Sequence, residues 1–313
     1  MREPTAQSTS TLYSFWPPPC APAVAAGILC VMGHKAKKKK KTLAAKADKY
    51  ALYQRAVQAP EAEIEFFDKV FKRSFARRPL VLREDFCGTA AVCCAWADSR
   101  KDRIAYGVDL DPEPLVWGAE HNLTALKPRR RERVILVESD VRADGQPAAD
   151  IVTAENFSYC VFRTRKELLR YFRAAHAHLA EKGLFILDAM GGSLTYEEGR
   201  REKRKVDGFH YIWEQRRFDP ITHHARMHIH FAFVDGSRLN KAFTYDWRLW
   251  TLPELQELLS EAGFDAVAVH WEGTNKKTGE GNGRFRPQKH AAADPSWICY
   301  IVARKGPAEA KSD

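Results

Sequence analysis

No apolar run in this chain is long enough to cross a bilayer. The best candidate, residues 21–32, falls well short of the roughly 20 residues a spanning helix needs. A secretory leader would carry a short basic segment just before its apolar run. What precedes residue 21 is long, proline-rich and nearly uncharged. The chain therefore reads as cytoplasmic, with no membrane partner. Cysteine offers no framework either. There are seven, an odd number, with no metal-ligand spacing. Cys93 and Cys94 are adjacent in a helical stretch and cannot usefully pair, so reduced thiols are expected. Also missing is the Gly-x-Gly-x-x-Gly loop that cradles a dinucleotide pyrophosphate.

The positive charge is concentrated. Of a net charge of +10, residues 1–50 hold nine Lys or Arg against two acids, which leaves about +3 for the rest. The remainder is nearly balanced, so the basic total does not by itself indicate a nucleic-acid enzyme. Residues 1–31 are rich in Ser, Thr, Pro and Ala without periodicity, and Met32 could open a shorter product. Residues 1–49 are read as a disordered basic arm and 50–313 as the folded domain. The run Lys37–Lys41 could contact nucleic acid, although charge runs are usually solvated.

Periodicity organises the folded part. Residues 50–75 recur at helical steps, with Pro60, Glu61 and Glu63 opening a second helix. Apolar runs at 80–82, 104–108, 134–137, 151–154 and 184–188 read as strands. Helical stretches at 90–96, 114–126 and 166–180 separate them. That alternation predicts a parallel sheet covered on both faces. After Gly192 the pattern changes to alternating segments at 209–217, 225–234 and 241–249, a three-stranded antiparallel insertion spanning 206–249. A helix from Leu252 to Gly263 and strands at 266–271 and 297–303 complete the chain. The Gly-rich stretch 273–293 between them reads as a mobile gate.

The densest chemical signal is Pro79 to Ala91. A short apolar strand reaches Arg83, Glu84 and Asp85, then a turn through Phe86, Cys87 and Gly88, then a helix. The next strand ends on Asp109, where an acid of a nucleotide-binding βαβ unit meets a ribose. One glycine and a bulky Phe86 argue for a ligand without phosphates. These residues, with the order of elements, resemble the class I S-adenosylmethionine-dependent methyltransferases. Their first motif runs acid-x-Gly-x-Gly-x-Gly. Glu84 falls on the acid, Gly88 and Ala90 on the second and third glycines. The resemblance runs from about Tyr50 to Lys305.

It implies an α/β fold: a Rossmann-like, seven-stranded, doubly wound sheet with an antiparallel last strand, plus the insertion. It implies S-adenosyl-L-methionine as cofactor. Asp109, with Leu110 beside it, would take the ribose hydroxyls. Asp140 would accept from the adenine amino group, with the Val141 N–H reaching a ring nitrogen. Glu84 and the backbone of Phe86, Cys87 and Gly88 would face the methionine end. Arg83 would either take its carboxylate or pair with Glu84 or Asp85. Glu155, Asn156 and Tyr159 leave the fourth strand, where donor and acceptor meet. Helices carrying Tyr50, Tyr53 and Gln58 would cover the cofactor.

Methyl transfer needs alignment more than covalent help. Candidates for a base are His228, His230, Tyr245 and Glu155. His224, His228 and His230 share one strand face and could hold a metal, but solvated strand histidines are commoner and no metal is expected. The insertion's aromatics would wall a small acceptor. Alternatives are an RNA or protein acceptor guided by the lysine arm, or a module that binds cofactor without turnover.

Overall fold

The computed structural model describes residues 41–308 except 146, 276, 278 and 280. The expected arm therefore lies largely outside the described residues, but its last part is ordered. Thr42 caps helix α1 (Leu43–Lys46), and Asp235 and Ser237 accept the Leu43 and Ala44 N–H groups at 2.8 and 3.0 Å. Asp48 caps α2 (Lys49–Val57) and accepts from the Trp117 indole at 2.6 Å. Residues 42–49, ahead of Tyr50, are thus packed on the folded domain. A chain beginning at Tyr50 is expected to lose about 1–2 kcal/mol against one beginning at Lys41, chiefly through the missing Asp48 cap. Urea melts of the two compare them directly; equal midpoints would show that this segment adds nothing.

Helix α3 (Pro60–Phe75) starts on Pro60 with two acids in its first turn, as the macrodipole favours. Strands β1 (Val81–Asp85), β2 (Ile104–Asp109), β3 (Val134–Glu138), β4 (Ala149–Ala154) and β5 (Leu179–Gly191) pair in parallel. Helix α4 (Ala91–Ser99) joins β1 to β2. The segment expected as one helix over 114–126 is α5 (Pro112–Gly118) followed by a π-helical turn, Ala119–Leu123. Gly118 is needed there, because a side chain would collide with the Thr89 carbonyl of the β1–α4 turn. Helix α6 (Pro128–Arg131) precedes β3, and α7 (Arg165–His178) leads into β5.

The insertion has four strands, not three: β6 (Arg201–Val206), β7 (Phe209–Asp219), β8 (His224–Phe233) and β9 (Arg238–Arg248). β6 reads Arg-Glu-Lys-Arg-Lys-Val and escapes an apolar pattern because it is an edge strand protected by charge. Helix α8 (Leu252–Glu261) then leads to β10 (Ala266–Thr274), β11 (Gly281–Pro287) and β12 (Trp297–Lys305). β11 occupies the expected gate and forms a hairpin with β10, so the main sheet has eight strands, in the order β11-β10-β12-β5-β4-β1-β2-β3. β12 runs antiparallel to β5 as expected. The order reverses between β1 and β4, the place where doubly wound sheets open a ligand crevice.

Both faces are covered. α3 and α4 pack Phe67, Phe71, Phe75 and Trp96 on one side. α7 and α8 pack Leu168, Phe172, Leu255 and Leu259 on the other. A third cluster, with Leu52, Ala56, Phe209 and Phe231, joins α2 to the insertion. That contact roofs the crevice.

Candidate functional site

The turn leaving β1 has the backbone of a glycine loop with only one glycine in it. Phe86, Gly88 and Ala90 all lie in the left-handed region, at φ 58°, 52° and 55°. Each side chain there costs about 1–2 kcal/mol. The surroundings enforce it. The Cys87 N–H donates to the Val108 carbonyl at 3.1 Å, and the Ala90 N–H to the Cys87 carbonyl at 2.8 Å. The Phe86 ring meets Tyr171 and Phe162 edge-on, at centroid distances of 5.5 and 6.0 Å. Above the loop, Gln54 rather than Gln58 reaches down, its amide donating to the Thr89 hydroxyl at 2.7 Å.

Asp109 ends β2 facing this loop. One carboxylate oxygen accepts the Gly88 N–H at 2.7 Å and the other the Asp111 N–H at 2.9 Å. Leu110 beside it is 69% exposed. Asp140 lies beyond β3, ion-paired with Arg142 at 2.5 Å, which holds its carboxyl below the usual range. Val141 is buried, and its carbonyl accepts from Arg83 at 2.8 Å. Of the open alternatives for Arg83, pairing is what the structure contains. The side chain is 1% exposed and donates to Asp85 at 2.7 Å, so it does not reach toward a ligand carboxylate. Glu84 accepts the Cys93 N–H at the start of α4, at 3.1 Å.

At the β4 exit, Asn156 and Phe157 are also left-handed, and their N–H groups donate to the Asp188 carboxylate at 2.9 and 2.8 Å. Glu155 is buried and accepts from the Thr153 hydroxyl. Tyr159 is not at the reacting centre. It is buried in the core, and its hydroxyl donates to the Asp188 carbonyl at 3.0 Å. A residue that the sequence reading did not assign to the site joins this group: Glu63, whose carboxylate Oε2 is buried without a hydrogen-bond partner among the described residues. Its signal was present, since Glu63 shares a helical face with Phe67 and Val70.

Among the described residues, these acids form no ion pair with a cation. Burial pushes the Glu84 carboxyl up to about 8. Burial, then neighbouring negative charge, raises Glu155, and burial outweighs the hydrogen bonds at Glu63 and Asp188, which also rise. Each binds its proton more tightly folded than unfolded. Its stabilisation is complete below the ordinary carboxylate range and is lost as pH rises through the folded value. Buried His178 and His270, held down to about 4 by burial, act in the opposite sense, but only below their ordinary 6.5. Stability should therefore fall between about pH 6.5 and 8. Urea midpoints across that window test this; a midpoint that rises with pH would contradict it.

A cavity lies between the insertion and the main sheet. Its walls are Trp213, Tyr245 and Trp247 from the insertion, Tyr53 from α2, Asn156, Phe157 and Met190 from the strand exits, and Trp297. Arg200 and Glu202 pair with each other in the lining, and Glu272 from β10 lines the cavity as well. Tyr245 lines the cavity, and His228 does not. β8 pairs Met227 with Tyr245 and His228 with Thr244. The period of two sends His228 to the face away from the cavity, where its ring meets the Thr244 hydroxyl at 3.0 Å. His230 lies on that same outer face against Glu214, at 2.9 Å. Among the described residues no cluster has metal-site geometry, and no helix is long and apolar enough to cross a membrane.

No family model matches the chain, and no curated protein does. Solved structures do. The CcbJ methyltransferase from Streptomyces caelestis is 19% identical with a TM-score of 0.60, covering 80% of this chain and 98% of its own. The sugar N-methyltransferase KedS8 from Streptoalloteichus sp. is 19% identical with a TM-score of 0.57, covering 91% and 99%. CalS10 from Micromonospora echinaspora, an amino pentose methyltransferase solved with S-adenosylmethionine bound, is 17% identical with a TM-score of 0.58, covering 82% and 95%. The chain has the fold of these S-adenosylmethionine-dependent methyltransferases, and the expected α/β architecture holds.

Proposed function

We propose that this protein binds S-adenosylmethionine and transfers its methyl group to a small-molecule acceptor held in the aromatic cavity. The observation that carries the reading is the β1 turn. Phe86, Gly88 and Ala90 keep three left-handed residues at the glycine positions, and Asp109 fixes the Gly88 N–H. The turn has the shape of a glycine loop with a single glycine in it. The donor set fits the cofactor as well. Asp109 has acceptor capacity left for a ribose diol, since each carboxylate oxygen can take a second donor. Glu63, Glu84 and Glu155 present buried carboxyl groups that suit a ligand with a net positive charge.

Bound S-adenosylmethionine supplies an activated methyl group. The chain's own task is alignment and exclusion of water. Asn156 and Phe157, fixed through Asp188, form the floor between the two ligands. α2 and the insertion close the roof, and the aromatic wall holds the acceptor. No side chain needs to form a covalent bond.

Calorimetry with S-adenosylmethionine and with its demethylated product tests this. Both should bind, and Asp109→Ala should weaken both by about 1.5–3 kcal/mol, the range for a hydrogen bond to a charged acceptor. The folded state should survive, because Asp109 faces the crevice. Binding of NAD with no heat from either sulfur ligand would overturn the reading. Unchanged affinity in the Asp109→Ala variant would remove the ribose role alone.

A further inference from the structure

The charges around the cavity are lopsided. Arg200 is the cation among the described lining residues, and it is already paired with Glu202. Glu272 has no basic partner among the described residues. Its Oε1 accepts the Gly283 N–H at 2.7 Å, and the residue is half-buried. Behind the floor, next to Asn156, lie the buried carboxyl groups of Glu155 and Asp188. The same cavity is lined by Trp213, Tyr245 and Trp247, with ring centroids 4.3 to 6.4 Å apart. Ring faces attract cations, and more strongly where water is excluded. The cavity thus combines an unpaired carboxylate with π faces, a combination that receives positive charge.

Resting on the methyl-transfer reading above, we propose that the acceptor is an organic amine that enters as its ammonium ion, held by Glu272 against the wall of Trp213, Tyr245 and Trp247. A carboxylate or phosphate acceptor would bring negative charge toward Glu272, and Arg200, the cation among the described lining residues, is already paired. A neutral alcohol would leave the half-buried Glu272 without a counter-charge. The ammonium removes both penalties. Glu272 binds and positions the ammonium. Transfer needs the free amine, so one ammonium proton passes first to the Glu272 carboxylate. The freed nitrogen lone pair then takes the methyl group as the carbon–sulfur bond breaks, and the demethylated cofactor leaves as a neutral thioether.

A matched set of probes decides the matter: 2-phenylethylamine, 2-phenylethanol and phenylacetate, which share a skeleton and differ in charge. Binding is read by tryptophan fluorescence at neutral pH, with and without the demethylated cofactor. The amine should bind about tenfold or more tighter than the other two, as a charge-assisted hydrogen bond implies. Glu272→Gln keeps an oxygen for the Gly283 N–H, so it should fold. It should abolish the preference while cofactor affinity stays within about threefold. An amine that binds no better than the alcohol, including no binding by any probe, overturns the proposal. So does a preference that survives Glu272→Gln. Because the charge preference can be read without cofactor, failure of the methyl-transfer reading would show separately, as absent cofactor binding.

Discussion

Replacing Asp85 by alanine should cost about 3–5 kcal/mol of folding stability, the range for breaking a buried ion pair on one side. Arg83 and Asp85 alternate on β1, so they point to the same face and meet at 2.7 Å. Both are about 1% exposed. Asp85 also accepts from the Tyr171 hydroxyl at 3.0 Å, which ties β1 to α7. Without the carboxylate, a guanidinium is stranded in the core with the Val141 carbonyl as its remaining partner, and one of its nitrogens is already unpaired. A loss of this size is a large share of a typical domain's total stability. Urea unfolding measures it. The double variant Arg83→Met, Asp85→Leu removes both charges and should recover most of the loss. A single variant within about 1 kcal/mol of the parent would mean that water reaches the pair.

That result would also settle how the acids of β1 divide their work. Glu84 faces the helix start beside the crevice, and Asp85 faces the α7 side. The sequence left Arg83 free to pair with either acid, and strand alternation puts Asp85, two residues on, on its own face. The same limit recurs across the chain. The parallel strands were legible because buried strands read as apolar runs ending on acids such as Asp109 and Asp188. β6 and β11 were not, because an edge strand of charged residues and a hairpin arm starting Gly-Asn-Gly carry no such run. Phe86 and Ala90 looked like departures from a glycine loop. Sequence shows the residue but not the dihedral its neighbours impose, and here packing outweighs preference. His228 and Tyr159 failed for a related reason. Periodicity tells which residues share a face, and only the tertiary contact decides which face meets the cavity. Glu63 was hidden by a plausible duty elsewhere, as a first-turn acid at a helix N-terminus.

The insertion gives the sharpest separation of roles. Trp213→Leu and Tyr245→Leu should each lower kcat/KM for methyl transfer by about 100-fold, the scale at which a misplaced acceptor loses its attack geometry. Cofactor affinity should stay within about threefold, because the contacts are segregated. Gly88, Asp109 and Asp140 lie at the exits of β1, β2 and β3, whereas Trp213 and Tyr245 hang from a separate sheet over the β4 and β5 exits. Leucine keeps much of the apolar bulk, and both positions are partly exposed, so the fold should hold. The two rings lie 5.9 Å apart on neighbouring faces of one wall. The double variant should therefore fall short of the product of the single effects, since either loss alone already frees the acceptor. Single-turnover rates with saturating cofactor, set beside calorimetry of the demethylated product, read the two quantities independently. If activity and cofactor affinity fall together, the insertion belongs to the cofactor site and its role in choosing the acceptor is refuted.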